Sequence, residues 1–274
     1  GCSLFNHPIN NLPTNLETLN LCHCKVFNYP LDNLPKSLLH LYMTDCFNFN
    51  YSLDNLPNLL SFSIYYSYQL AYPLTKLPTT LTDLKCDKEI NCSFPNLTHL
   101  SISDKCQLNN LHLLKELEIY SDFNSPLNIL PDTLESLTIA NRNFNQPLIN
   151  LPKALQILEI SSGVFNQSLD NLPENLHELY IKSIGFNQSV DHLPKNLHSL
   201  IIKGSSFNQS MDHLPKKLYC LAINCLHFGQ SLRNLPNTLK RLNIKSMTMS
   251  MDESIDHLPD TLESLSLYCA LTKQ

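Results

Sequence analysis

The sequence predicts a repeat solenoid of the α/β type, mostly β, in which short parallel strands stack coil upon coil. The first observation is a repeated segment: Phe165-Asn166-Gln167-Ser168 recurs 21 residues later as Phe186-Asn187-Gln188-Ser189. The second is the pair Leu172-Pro173, which returns with the same offset as Leu193-Pro194. The third is a Leu-x-x-Leu-x-Ile run that follows each of these pairs. Self-similarity at a fixed period of roughly 20–50 residues is typical of stacked coils.

The same template covers the whole chain. If the leucine of the Leu-Pro pair, or its counterpart, marks each repeat, about thirteen repeats of ~21 residues result. Because they fill residues 1–274, we expect a single repeat domain. Residues 87–130 are irregular: two repeats shrink there and lose the Phe-Asn pair but keep their strand pattern, so we expect the sheet to continue through them. The marker residues are Leu12, Leu34, Leu56, Leu77, Phe94, Leu111, Leu130, Leu151, Leu172, Leu193, Leu214, Leu235 and Leu258.

Each repeat is expected to hold one short strand and a turn-rich return. In Leu176-x-x-Leu179-x-Ile181, Leu179 and Ile181 alternate with polar residues at the period of 2 that a strand requires. The proline that follows the marker in twelve of the thirteen repeats fixes φ and favours a 3₁₀ turn, and so short a coil leaves no room for a full helix. We therefore expect a horseshoe with a parallel β-sheet on its concave face and loops or 3₁₀ turns on its convex face.

Two residue types recur on the return segment. A phenylalanine in nine repeats predicts a buried aromatic spine behind the sheet, and the Asn that follows it predicts a ladder of side-chain amides that satisfies backbone groups of an interior turn. A second ladder is expected from the Asn or His before the marker leucine, including His192 and His213. The spine residues are Phe5, Phe27, Phe49, Phe123, Phe144, Phe165, Phe186, Phe207 and Phe228. The amide positions are Asn6, Asn28, Asn50, Asn124, Asn145, Asn166, Asn187 and Asn208.

Composition and motifs exclude several functional classes. A net charge of -5 without a basic cluster argues against nucleic acid, and no segment reaches the ~20 apolar residues that would cross a membrane. The ten cysteines show no C-x-x-C pair, which favours reduced thiols and a cytoplasmic location. Cys22-His23-Cys24 offers three ligands at an awkward strand alternation, so we expect no metal and no cofactor. No catalytic motif is present, and the closely spaced Glu116 and Glu118 fit a solvated sheet face better than paired acid-base groups, so we expect no enzyme.

The outward strand positions are the best candidate for a binding surface. The acidic residues concentrate in the middle repeats and the basic ones in the later repeats, with tyrosines, a residue type favoured at binding hot spots, between them. This strip suits a protein or peptide partner of complementary charge, although any solvated sheet also needs polar residues. The partner-binding candidates are Tyr42, Tyr65, Glu116, Glu118, Tyr120, Glu159, Glu178, Tyr180, Lys182, Lys203, Arg241 and Lys245.

The strand pattern matches that of leucine-rich repeats. The sequence motif FNQS…LP resembles the FNIP repeat of amoebal and giant-virus proteins, and the resemblance covers essentially all 274 residues. One departure concerns the ladder Asn of leucine-rich repeats, three residues after the last strand residue, where this chain has Gly163, Ile184, Ser205 or Leu226. FNIP repeats often follow an F-box. The resemblance therefore implies the substrate-recognition part of a ubiquitin-ligase adaptor, in the host-cell cytosol if the protein is viral.

Two functional hypotheses remain open at this stage. The first is a non-enzymatic recognition module that binds a protein on its concave face and reaches ligase components through a region that precedes this chain, since no F-box is expected within it. The second is a structural solenoid whose end strands, without an evident polar cap, stack into an end-to-end homo-oligomer.

Overall fold

The computed structural model describes residues 2–72, 74–88, 90, 93–103, 111–120, 124–127, 130–247 and 257–269. Within these residues it contains thirteen strands and no α-helix, in two compact units: an N-terminal unit, Gly1–Tyr120, and a C-terminal unit, Ser121–Gln274. The N-terminal strands are β1 (Thr18–Asn20), β2 (His40–Tyr42), β3 (Ser61–Ile64), β4 (Asp83–Cys86), β5 (His99–Ile102) and β6 (Glu116–Tyr120). The C-terminal strands are β7 (Ser136–Ala140), β8 (Ile157–Ser161), β9 (Glu178–Lys182), β10 (Ser199–Gly204), β11 (Cys220–Cys225), β12 (Arg241–Ser246) and β13 (Ser264–Cys269).

Within each unit every strand pairs in parallel with the next strand of the sequence. The registers join equivalent residues, as in Leu158↔Leu179 and Leu179↔Leu200. Since side chains alternate across a strand, this register puts all inward leucines on one face. The predicted solenoid of parallel strands is therefore confirmed.

The hydrophobic core lies between the strands and the return segments. Leu176, Leu179 and Ile181 are almost completely buried, and the corresponding residues of the repeats from β2 to β12 behave alike, whereas Leu19 of β1 is half-buried and Leu265 of β13 is 43% exposed. The aromatic spine is confirmed in both units, with ring centroids 5.8–6.1 Å apart along Phe5, Phe27 and Phe49 and again from Phe144 to Phe228. Phe123, the remaining predicted member, lies outside the described residues.

The Phe-Asn amides form a ladder, but the prediction that it runs through the interior is wrong. Asn166 Oδ1 accepts the backbone N–H of Asn187 at 3.0 Å, and Asn187 Oδ1 accepts that of Asn208 at 2.9 Å. In the C-terminal unit a glutamine adds a second rung, as where Gln188 Nε2 donates to Asn166 Oδ1 at 3.0 Å. Asn166, Asn187 and Asn208 are exposed, so the ladder secures the coil at its surface, where the backbone N–H would otherwise bond to water.

The second expected ladder joins side chains rather than backbone groups. His192 Nδ1 lies 3.2 Å from Asp170 Oδ1 of the preceding repeat, and His213 Nδ1 lies 3.2 Å from Asp191 Oδ1. These residues are exposed or nearly so, which corrects the expectation of an interior role.

The interior hydrogen bonds come from serines two residues after the last inward strand residue. Ser162 Oγ donates to Phe144 O at 2.8 Å, and Ser183 Oγ donates to Phe165 O at 2.8 Å. Both serines are buried, so they occupy the interior role that leucine-rich repeats give to asparagine. Their recurrence was visible in the sequence, one residue before the position compared with the leucine-rich-repeat pattern.

In the repeats with a Leu-Pro pair, the proline opens a tight turn before the strand. Leu176 N–H donates to Pro173 O at 3.0 Å and Leu197 N–H to Pro194 O at 3.0 Å, each across three residues. In the shortened segment β5 and β6 form as expected and pair in register, as in Leu100↔Leu117.

Candidate functional site

The structure places eleven of the twelve candidate residues on outward strand positions, and Tyr65 directly after the last residue of β3. Each one sits beside a buried strand residue, as Tyr180 does between Leu179 and Ile181, and each is exposed or half-buried. The sequence alternation therefore assigns the face of every candidate correctly. Whether a partner uses that face stays a prediction.

In the N-terminal unit, three tyrosines border a hollow of about 220 Å³. The Tyr65 and Tyr66 rings meet edge to face with centroids 4.6 Å apart, and the Tyr65 and Tyr120 rings do so at 6.0 Å. Ser63 and Ser101, only 6% and 4% exposed, line the hollow as well. Small residues on the middle strands thus leave a depression beside large aromatic ones, a shape that can receive a side chain of another molecule.

Charged side chains lie beside these rings. The Tyr120 hydroxyl donates to Glu118 Oε2 at 3.2 Å, and Lys85 Nζ lies 3.9 Å from the same oxygen. Glu116 Oε1 lies 3.4 Å from His99 Nε2. Each of the two glutamates thus has its own neighbour, an arrangement typical of a solvated sheet face.

Burial, followed by repulsion from Tyr66 and Asp87, raises the pKa of Tyr65 well above its ordinary value. The Tyr65 phenol is therefore neutral at physiological pH, and its ring is a candidate for apolar contact rather than for acid-base chemistry. Tyr42, the remaining candidate in this unit, stacks on His40 of its own strand at 6.5 Å and does not line the hollow.

In the C-terminal unit, outward residues that are in register on neighbouring strands form rows, and the charge of the side chains differs from row to row. The register Ser161↔Lys182↔Lys203↔Asn224↔Lys245 defines a row at the carboxyl ends of β8 to β12, which we call the basic row. Glu159 and Glu178 lie on the other two outward rows, together with Arg241. The sequence predicts a change of sign along the chain, and the structure adds a change of sign across the strands.

Two cations of this unit rest on aromatic rings. Lys203 Nζ lies 5.1 Å from the centre of the Tyr180 ring, and the Arg241 guanidinium carbon lies 5.5 Å from that of Tyr219. Cation–π contact of this kind orients the charged group without neutralising it.

A groove of about 630 Å³ runs along the carboxyl ends of β7–β11. Lys182 and Lys203 line it together with Arg142, which the sequence did not single out because it lies beyond the strand pattern. The other lining residues are mostly small, including Ala140 and Ser161. Gly163 and Ser205, which stand where the sequence lacks the asparagine of leucine-rich repeats, also line the groove and were the available signal for it.

The cysteines show no sign of a metal centre in the described part of the chain. Cys24 and Cys46 are buried free thiols, and burial together with the neighbouring thiols raises the pKa of Cys46 to about 12. His23 Nδ1 contacts Asp45 Oδ2 at 2.7 Å instead of sharing a ligand set with its flanking cysteines. Among the described residues, no three His, Cys, Asp or Glu side chains converge, and no helix there could cross a membrane.

Comparison with known proteins supports the class of repeat protein that the sequence predicts. Residues 123–163 match the family model described as FNIP Repeat, which confirms the resemblance read from the sequence. None of the curated proteins matches the chain.

Two solved structures resemble the fold. YopM from Yersinia enterocolitica WA-314 is 20% identical, with a TM-score of 0.59, over 96% of this chain and 66% of its own. CroV588, described as a novel circular LRR protein structure, is 22% identical, with a TM-score of 0.37, over 96% of this chain and 61% of its own. This chain thus spans less than two thirds of either solved chain. The likeness to YopM shows a leucine-rich-repeat fold, a fold consistent with a protein-interaction module.

Proposed function

We propose that this chain is a non-enzymatic recognition module that binds a protein partner on the outward face of its strands. The observation that carries the proposal is the tyrosine-bordered hollow of the N-terminal unit. Tyr65 and Tyr120 present large rings beside a depression with two nearly buried serines, and aromatic residues next to a pocket are what interface hot spots favour. An apolar side chain of the partner would enter this hollow, and the Lys85–Glu118 pair would orient its polar flank.

The finer proposal is that the bound protein is a substrate delivered to a ubiquitin ligase in the cytosol. Support for this step comes from the FNIP match over residues 123–163 and from the F-box that often precedes such repeats. It requires ligase components to be recruited by another part of the protein.

The test places an aromatic photo-crosslinking amino acid at Tyr66, an exposed ring at the border of the hollow, and compares it with the same group at Glu174, an exposed turn residue before β9. Both proteins are illuminated in lysate of cells that make the natural protein. A crosslinked partner from position 66 alone, lost when Glu118→Lys is added and kept with the control Glu174→Lys, is the expected result. Equal adducts from both positions, or self-association as the only product, would contradict strand-face recognition.

The ligase step needs a separate readout. Co-expression of the full-length protein should shorten the half-life of the crosslinked partner, and a proteasome inhibitor or Glu118→Lys should restore it. An unchanged half-life would argue against the ligase role and leave the recognition role intact.

A further inference from the structure

We propose that the groove at the carboxyl ends of β7–β11 binds an extended acidic segment of a protein partner, an assignment that rests on the proposed recognition function. It differs from the tyrosine hollow in its chemistry, in its residues and in the unit that carries it. The hollow takes an apolar side chain, whereas the groove is lined by cations.

The two lysines of the groove have no acidic side chain in their own row. Arg142, Lys182 and Lys203 line it, and none of the described residues that line it is acidic. Lys182 and Lys203 are register partners on β9 and β10, so two like charges stand side by side. Such pairs destabilise a sheet, and a bound anion relieves the repulsion.

The remaining lining residues suit close approach of a peptide chain. Ser161 and Asn224 flank the two lysines in the same row and offer a hydroxyl and an amide as further hydrogen-bond donors. Lys203 is held over the Tyr180 ring, which reduces the conformational freedom that the ammonium group loses on binding. A cationic strip with neutral donors at both ends therefore faces open space.

The dimensions match an extended peptide. Four adjacent strands at about 4.8 Å spacing place Ser161 and Asn224 roughly 14 Å apart, and side chains on one face of an extended peptide recur at about 6.6–6.8 Å. Two alternate carboxylates of such a peptide can thus reach both lysines. Glu159 on the next outward row and Glu178 on the row beyond it would repel any wider anion, so a narrow acidic peptide fits better than a nucleic acid.

The test measures binding of a fluorescent peptide of about ten residues with alternating glutamates, by anisotropy, to the whole chain. Wild type should bind it, and the double variant Lys182→Glu/Lys203→Glu should bind it at least about tenfold more weakly. The matched control is Lys195→Glu/Lys216→Glu, which makes the same charge change on exposed turns before β10 and β11 and should alter the affinity less than about twofold. Circular dichroism confirms that both variants fold.

Further probes separate this proposal from its rivals. Raising NaCl from about 50 mM to about 500 mM should weaken the peptide complex, because the charges on the groove are exposed. Equal loss in the control variant, or tighter binding of single-stranded DNA than of the peptide, would overturn the assignment. Glu118→Lys should leave peptide binding unchanged, so failure of the hollow and failure of the groove give different patterns.

Discussion

The two units build the same aromatic stack with chain segments of different length. From the last inward residue of the strand segment to the phenylalanine there are six steps in the N-terminal unit, from Leu21, directly after β1, to Phe27, and five in the C-terminal unit, from Ile181 to Phe186. The ring spacing is nevertheless 5.8–6.1 Å in both. The N-terminal unit absorbs the extra residue in a left-handed conformation, with φ of 62° at His23 and 61° at Asp45. Packing of the rings thus fixes the spacing between successive coils, and the turn accommodates the difference in segment length.

The buried residue after this turn differs as well. In the C-terminal unit Ser183 Oγ donates to Phe165 O at 2.8 Å, whereas in the N-terminal unit the thiol of Cys46 lies 3.2 Å from Leu21 O. Both side chains are small and reach a carbonyl of the preceding coil, but a thiol is the weaker donor. The two side chains bond to carbonyls at different places of the repeat, the spine phenylalanine for Ser183 and the last inward residue for Cys46, and Cys225 of the C-terminal unit bonds as Cys46 does. A search for a single ladder residue therefore fails.

The largest expected effect tests the phenylalanine stack that both units share. Phe186→Ala removes a fully buried ring stacked between Phe165 and Phe207, and should lower the free energy of unfolding by roughly 3–5 kcal/mol in urea titrations. Phe5→Ala removes a partly exposed ring of the same spine and should cost clearly less. Equal losses in the two variants would show that the stack does not determine the stability of the coil.

A smaller effect concerns a close approach found in the C-terminal unit. A Cβ on Gly204 would lie 1.9 Å from Ser183 O, so Gly204→Ala must displace the backbone and should cost about 1–3 kcal/mol. Gly185→Ala is the control: nothing lies within 4 Å of its Cβ position and its φ is not positive, so the variant should be neutral or slightly more stable. Thermal melts of both proteins test this order, and a neutral Gly204→Ala would contradict the contact.

Much of this fold could be predicted from the sequence because successive coils carry the same residue pattern. Spacing alone identified the strands, the inward residues and the phenylalanine stack. Sequence could not place the Asn ladder at the surface, because burial of a turn depends on how the neighbouring coil covers it. Nor could it find the tyrosine hollow, since Tyr65 and Tyr120 are 55 positions apart and meet only because small residues such as Ser101 lie on the strands between them.

The left-handed turn offers a direct test of the difference between the units. Asp45→Ala and Asp45→Gly both lose the contact with His23, so their difference reports the backbone alone. The glycine variant should be more stable by about 1 kcal/mol, because φ near 61° strains alanine and not glycine. At Ile184, a turn residue of the C-terminal unit without positive φ, the order should reverse. The same order at both positions in urea titrations would refute the proposed adaptation of the turn.

The smallest expected effect distinguishes the surface carboxylates of the units. The Ser168 hydroxyl, which donates to Asp170 Oδ2 at 2.7 Å, and then His192 lower the pKa of Asp170 below its ordinary value. A lowered pKa in the folded state contributes stability above the ordinary pKa, and that stability is lost as the pH falls through the folded value. For an exposed group the contribution is only a few tenths of a kcal/mol.

Asp170→Asn should therefore reduce stability slightly at pH 6 and flatten its decline between pH 5 and pH 3, measured by thermal melts. The control is Asp32→Asn in the N-terminal unit, where Pro30 stands in place of the serine and Asn55 in place of the histidine. A carboxylate held by a hydroxyl and an imidazole should matter more than one held by a single amide. Identical acid profiles for the two variants would show that the serine and histidine of the later repeats add nothing to the surface ladder.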